Sequence, residues 1–234
     1  NRKLRCATPS VEPGGGGINV SRALKILGTP SLAIHTSGGY PGRLLEELLE
    51  GQDIDHSPVR ISGDTRQNLI VREESTGDQF RFGVPGPPIA AEEIETLLQT
   101  IRRAGESCSY LVASGSLAQD MPEDFYARIA AIGRECEARV VIDVSGPPLV
   151  AAIEEGVFLI KPNARELDSL VGRELGSDSE RVDEIRKLMS RGQVEAVVVS
   201  LGRAGSLLVT RDDWQRIRTP NVPVRSRIGA GDSA

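Results

Sequence analysis

Four short runs in the second half of the chain, Tyr110-Leu-Val-Ala113, Arg139-Val-Val-Ile142, Val157-Phe-Leu-Ile160 and Ala196-Val-Val-Val199, do not alternate polar with apolar residues. Runs of that kind read as strands buried on both faces. The intervening segments, Pro122 to Cys136, Pro148 to Glu155, Ala164 to Val171 and Glu180 to Arg191, repeat apolar groups at three- and four-residue spacing, and Pro122 suits a helix N-terminus. Strand and helix in alternation predict an α/β body: a mostly parallel sheet with helices on its faces, whose ligands bind at the carboxyl ends of the strands.

The same regime begins earlier, with a strand over Leu32 to His35 and a helix from Arg43 to Glu50 ending near Gly51. It breaks between Asp64 and Pro85. There Gln67 to Arg72 and Gln79 to Phe82 flank Ser75-Thr-Gly-Asp78, a β-hairpin pattern with no helix between its strands. The expected organisation is a body over 14–62 and 87–234 carrying a small β appendage over 63–86, to which residues 1–13 add edge strands. Gly205 to Thr210 and Trp214 to Arg218 predict a further antiparallel pair. The sequence begins at Asn1 without a leader pattern and stops at a turn entering a helix, so a longer protein is expected.

Lys and Arg number 28 against 33 Asp and Glu, a net charge of −5, and aromatic residues are 3%. No positive field and no stacking platform are available for nucleic acid. The longest apolar run, Leu149 to Ile153, is far short of the roughly 20 residues that cross a bilayer. Cys6, Cys108 and Cys136 are odd in number and lack CxxC spacing, as expected of a soluble protein in a reducing cytoplasm. His35 and His56 sit near no nucleophile signature and read as isolated structural residues.

Four segments could carry chemistry. Pro13 is followed by Gly14 to Gly17 and then a helix pattern, which either cradles an anion or sugar hydroxyl or simply makes a tight turn. Lys161-Pro-Asn-Ala-Arg-Glu166 follows a strand; Asn163 and Glu166 could hold hydrated Mg²⁺, or could form a capping box. Ser200-Leu-Gly-Arg-Ala-Gly205 offers amides to a phosphate or forms a hairpin turn. Gly229-Ala-Gly-Asp-Ser233 combines a nest of amides with a carboxylate, the pairing of base and anion hole that alcohol phosphorylation needs, although Asp or Ser there also suits an N-cap. Lys3, Arg5, Arg66, Arg72 and Arg81 lie in or beside the appendage, where they either clamp a phosphate or make a solvated face.

Taken in order, these four motifs resemble the ribokinase-like carbohydrate kinase family, and Thr65-Arg-Gln-Asn68, Arg81-Phe82 and Gly16 draw the chain toward its bacterial 6-phosphofructokinase branch, since the sibling branches commonly carry Lys at that glycine. The resemblance implies a three-layer α/β/α sandwich with a small β-sheet lid that also makes a homodimer. It implies an ATP-dependent kinase that phosphorylates the 1-hydroxyl of fructose 6-phosphate; 1-phosphofructokinase and tagatose 6-phosphate kinase are the alternatives within the class, and a non-catalytic sugar-phosphate or nucleotide sensor is the alternative outside it. By the same resemblance, Asp232 is the base, and the amides of Gly229, Ala230 and Gly231 form the anion hole. Gly15 and Asn19 bind sugar hydroxyls, and Lys3, Arg5, Arg66 and Ser116 approach the sugar's phosphate. Lys161, Asn163, Ser200, Gly202 and Gly205 face the nucleotide, Glu166 and Asn163 organise Mg²⁺ through water, and Ser226 and Ile228 fit a monovalent cation (K⁺) site. A sugar-binding Asp on a first strand, and helices walling the adenine, would lie outside this segment.

Overall fold

The computed structural model describes residues 6–191 and 193–219. Helix α1 (Gly16–Ile26) leads into strand β1 (Ala33–Ser37), α2 (Gly39–Glu50) and β2 (His56–Arg60), then the strands β3 (Leu69–Arg72) and β4 (Gln79–Phe82). From α3 (Ala91–Gly105) onward the chain alternates: β5 (Tyr110–Ser114), α4 (Phe125–Glu135), β6 (Arg139–Asp143), α5 (Pro147–Glu155), β7 (Val157–Ile160), α6 (Ala164–Val171), α7 (Asp178–Ser190), β8 (Val194–Ser200), a 3₁₀ turn (Gly202–Ala204), β9 (Ser206–Thr210) and β10 (Trp214–Ile217).

The main sheet has six strands in the order β10-β9-β8-β7-β6-β5. β5 through β8 pair in parallel, and β9 and β10 add antiparallel. This is the parallel body the apolar runs predict, with an antiparallel edge, because a short turn can join β8 to β9 only in reverse direction. Ile142, Ile160, Val197, Val199, Leu207 and Val209 are fully buried along the sheet, under Ile129 and Ala130 of α4 and Val182, Ile185 and Met189 of α7. Truncating Ile160 to Ala should cost about 2–5 kcal/mol, from lost transfer energy and the cavity left behind.

A second parallel pair, β1 with β2, forms its own two-stranded sheet on which α1, α2 and α3 pack. The sequence gives no strand pattern at β2, since His56, Ser57, Pro58 and Arg60 spoil it, and it leaves the longest helix, α3, without a clear start. Pairing supplies what propensity lacks: all five residues of β2 are in register with β1. At α3, Glu93 accepts the Ser62 and Ala90 amides at 2.6 and 2.8 Å, capping the helix and tying it to the segment after β2.

Other boundaries move for local reasons. α4 starts at Phe125, because Pro122 sits in a turn whose carbonyl accepts the Phe125 amide. α2 starts at Gly39 rather than Arg43, and Gly51 closes it in the right-handed region. The hairpin forms as expected, with Leu69 opposite Phe82 and Val71 opposite Phe80. Residues 6–13 carry no strand, contrary to expectation, while residues 1–5 lie outside the described residues.

The two histidines are not isolated. His35 Nε2 lies 3.2 Å from His56 Nδ1, and the rings stack with centroids 5.4 Å apart. Nearby, Arg60 holds Glu46 in a two-pronged ion pair that Ser37 completes. Burial, chiefly, holds His35 below the ordinary histidine value of 6.5; the Thr36 carbonyl opposes this, His56 and Arg60 add to it, and Glu46 opposes it. The unfolded chain therefore takes up that proton first as the pH falls, so stability should drop as the pH is lowered below 6.5. Glu46, held below its ordinary 4.5 mainly by the Arg60 hydrogen bond, adds a second loss below that value. Urea unfolding at several pH values should show the upper limb, and His35→Gln should flatten it; a flat profile between pH 7 and the mid-fives would rule out a desolvated His35.

Candidate active site

Because β5 to β8 run the same way, their carboxyl ends meet at one rim. Ser114 pairs with Asp143, Ile142 with Ile160, and Ile160 with Val197, so Ser114, Asp143 and Lys161 emerge side by side, with Asn163 and Ser200 paired two residues further on. One half of this rim carries the residues expected to face a nucleotide. Lys161 Nζ lies 3.1 Å from Asp143 Oδ2, with the two side chains 13% and 21% exposed. The Ser200 amide donates to the Pro162 carbonyl at 2.9 Å, and Asn163 bridges to Ser200, which extends the β7–β8 contact beyond the strands.

Asn163 caps α6. Its Oδ1 accepts the Glu166 amide at 3.0 Å, while Glu166 Oε2 accepts the Asn163 amide at 2.8 Å. The capping reading of this pair is therefore realised. It still fits a divalent cation held through water, because the reciprocal bonds leave Glu166 Oε1 outside the cap and fix the carboxylate's direction. Ser200 supplies the second fit: its Oγ is buried with no hydrogen-bond partner among the described residues. A buried hydroxyl without a partner is costly, and a phosphate oxygen would satisfy it.

Gly202 and Gly205 border the 3₁₀ turn. Gly205 has φ +96°, and a Cβ there would lie 1.9 Å from the Ile217 carbonyl oxygen, so the glycine is demanded by the close passage of β10. Gly205→Ala should destabilise the protein by about 1–3 kcal/mol in the absence of any nucleotide. Urea unfolding of the unliganded protein measures this; an unchanged midpoint would leave nucleotide contact as the reason for the glycine.

Beside the other half of the rim lies a broad, open void bordered by α1, β1, β5 and the hairpin, with Gly15, Asn19, Arg66 and Ser116 among its many lining residues. Gly15, with φ +117°, precedes α1 and accepts the Asn19 amide at 2.9 Å, which places Asn19 one turn into the helix. A Cβ on Gly16 would come within 2.1 Å of Ser114 Oγ, so α1 begins in direct contact with the end of β5. Thr65 anchors the segment leading to the hairpin: its amide donates to the Gly38 carbonyl and its Oγ1 accepts the Gly38 amide, both at 3.0 Å. Arg66 follows immediately, exposed and without an ion-pair partner among the described residues.

The described residues expected at the site thus fall in two groups, one at the carboxyl ends of β7 and β8 and one along the adjoining void. Lys3, Arg5, Ser226, Ile228, Gly229, Ala230, Gly231 and Asp232 lie outside the described residues. Asp143, which pairs with Lys161, and Thr65, which ties the segment before Arg66 to Gly38, stand beside these residues without being expected from the sequence. A carboxylate closing the apolar run Val140-Val-Ile142 was the available signal for the first, while Thr65 depends on a contact with Gly38 that no local pattern announces.

An α/β body with a phosphate-directed rim and an antiparallel hairpin beside the groove is the architecture of a ribokinase-like sugar kinase. The family model described as pfkB family carbohydrate kinase matches residues 1–234, and the chain belongs to that family. It is therefore a phosphotransferase acting on a hydroxyl acceptor, a class that uses ATP with a divalent cation. The chain is 40% identical over 231 residues to the ATP-dependent 6-phosphofructokinase isozyme 2 of Mycobacterium tuberculosis strain H37Rv, covering 99% of this chain and 68% of that protein. It is 38% identical over 232 residues to the Escherichia coli K12 protein of the same name (99% and 75% covered), and 35% identical over 221 residues to the 1-phosphofructokinase of Bacillus subtilis strain 168 (94% and 71%). Among solved structures, phosphofructokinase-2 from Escherichia coli in complex with fructose-6-phosphate superposes with a TM-score of 0.93 at 37% identity, covering 100% of this chain and 76% of that one. The same Escherichia coli protein has been solved in complex with potassium and as a tetrameric inhibited form. Among the described residues, no helix is long and apolar enough to cross a membrane.

Proposed function

We propose that this chain carries the active site of a cytoplasmic, ATP-dependent kinase that phosphorylates the 1-hydroxyl of fructose 6-phosphate to give fructose 1,6-bisphosphate. The observation that carries the reading is the rim itself, where Lys161 pairs with Asp143 and Asn163 bridges to Ser200, whose buried hydroxyl lacks a partner among the described residues, with Gly15, Asn19, Arg66 and Ser116 on the broad void beside it. The two sets suit the two phosphate-bearing substrates of such a reaction.

In this reading Gly15 and Asn19 hold sugar hydroxyls, while Lys3, Arg5, Arg66 and Ser116 hold the 6-phosphate, the guanidinium groups bidentately. Asp232 takes the proton of the 1-hydroxyl as its oxygen attacks the γ-phosphorus of ATP, and the amides of Gly229, Ala230 and Gly231 receive the charge on the transferring phosphoryl oxygens. Lys161, Asn163, Ser200, Gly202 and Gly205 hold the nucleotide. Mg²⁺, organised through water by Glu166 and Asn163, neutralises phosphate charge when bound. Ser226 and Ile228 belong to a potassium site, a reading supported by the potassium complex of the Escherichia coli protein. Residues 63–86, with 1–13, act as a lid over the sugar and as the contact between two copies. One face of the hairpin presents Leu69, Val71, Phe80 and Phe82, of which Leu69, Phe80 and Phe82 are more than half exposed, which supports that role.

A coupled ADP-release assay on the full-length protein, comparing fructose 6-phosphate, fructose 1-phosphate and tagatose 6-phosphate with Mg²⁺-ATP, tests the substrate. Preference for fructose 1-phosphate would move the protein to the 1-phosphofructokinase reading that the Bacillus relative represents. Turnover of none of them would leave a sensor. Asp232→Asn should lower kcat by at least about 10²-fold with sugar binding retained, as loss of a general base requires. A near-normal kcat would refute the assigned base. Arg66→Ala should raise KM for the sugar phosphate by about tenfold or more and leave KM for ATP unchanged; parallel changes in both would remove Arg66 from the phosphate site.

A further inference from the structure

The turn after β5 is gripped from two sides. On one side α1 begins against it, since only the missing side chain of Gly16 lets the helix meet Ser114, whose Cβ would lie 2.8 Å from an added Cβ. On the other side Tyr126, in the first turn of α4, donates its hydroxyl to the Gly115 carbonyl at 2.5 Å. The tyrosine is 5% exposed, and its ring meets that of Phe125 edge-on, with centroids 5.6 Å apart. A hydroxyl this deep is rarely left in a core for packing alone, because phenylalanine fills the same volume without a polar atom to satisfy.

The bond secures the carbonyl side of a glycine whose amide donates to the Asp143 carbonyl at 3.3 Å. Gly115 has φ +116° with nothing near the place of its missing Cβ, so neither side-chain packing nor local preference fixes the turn. The Gly115 carbonyl and the Ser116 amide share one planar peptide unit and point in opposite directions. Fixing the carbonyl on Tyr126 therefore fixes the direction of the Ser116 N–H and the start of the exposed Ser116 side chain. Burial, with Asp143 adding, pushes the Tyr126 hydroxyl up to about 12, so it remains a proton donor throughout the neutral range.

We propose that Tyr126 is a positioning residue for the phosphorylated sugar: through the Gly115 carbonyl it sets Ser116 in register with Gly15, Asn19 and Arg66 across the groove. The inference rests on the proposed function for the identity of that ligand. It assigns a substrate effect to a buried residue at the start of α4, outside the four motifs that carry the family resemblance.

The test is steady-state kinetics on the full-length protein with the sugar phosphate that wild type turns over best. Tyr126→Phe should raise KM for the sugar phosphate about fivefold, the ratio expected for one net hydrogen bond, with KM for ATP unchanged and kcat nearly so. Gly16→Ala, pressing the same turn from the α1 side, should give the same split. Ile129→Val, one turn along α4 and equally buried, serves as the control: its melting temperature should fall while both KM values stay at wild type. A wild-type sugar KM in Tyr126→Phe, equal shifts in both KM values, or the same shift in Ile129→Val would each overturn the inference while leaving the kinase reading intact. Failure of wild type to turn over any sugar phosphate would overturn the proposed function and this inference with it.

Discussion

The parallel hydrogen-bond ladder from β5 to β8 is the constraint on which the rest depends. Parallel strands need long crossovers, so α4, α5 and the α6–α7 pair must return the chain across the sheet each time, and every strand then ends at the same rim. Residues far apart in sequence, Ser114, Asp143, Lys161 and Ser200, are brought to one rim by the ladder itself, and the Lys161–Asp143 ion pair forms there. In β6, β7 and β8 the buried apolar residues secure the register, because a slip of one residue would carry side chains such as Ile142 and Val197 to the other face, whereas β5 leaves Tyr110 and Val112 exposed.

At that rim, stability and chemistry draw on the same groups. Asn163 and Glu166 satisfy the orphan amides of α6, and the same reciprocal bonds hold the carboxylate in a fixed attitude. Lys161 is held by Asp143 where an unpaired ammonium would be costly to desolvate. Ser200 is the exception. Its hydroxyl is buried and unsatisfied among the described residues, and such a group belongs where an incoming acceptor completes it.

The parallel body could be read from the sequence because each of its strands is apolar throughout; β7 and α6 fall at the expected residues, and β5 and β6 extend one residue further than read. β2 could not, since Pro58 and two polar neighbours carry no strand preference and the strand exists by pairing with β1. The site divides in the same way. Glycine runs and the Lys-Pro-Asn segment advertise themselves by composition and spacing. Asp143, Thr65 and Tyr126 act through partners 18, 27 and 11 residues away, and separations of that kind acquire meaning only once the sheet is built.

That division has a consequence for how the groove is held. The residues proposed to face the sugar sit on elements with little regular structure of their own: Gly15 before a helix, Arg66 before a hairpin, Ser116 in a glycine turn. Each is tied by hydrogen bonds to something rigid: Gly15 to the first turn of α1, Thr65 twice to Gly38 at the start of α2, and Gly115 to both Tyr126 of α4 and Asp143 of β6. Such anchors leave the rigid sheet to set distances while few hydrogen bonds hold each loop. Loss of an anchoring hydrogen bond should therefore loosen substrate geometry before it costs much global stability, since the apolar packing of the main core, the Tyr126 ring included, is left in place.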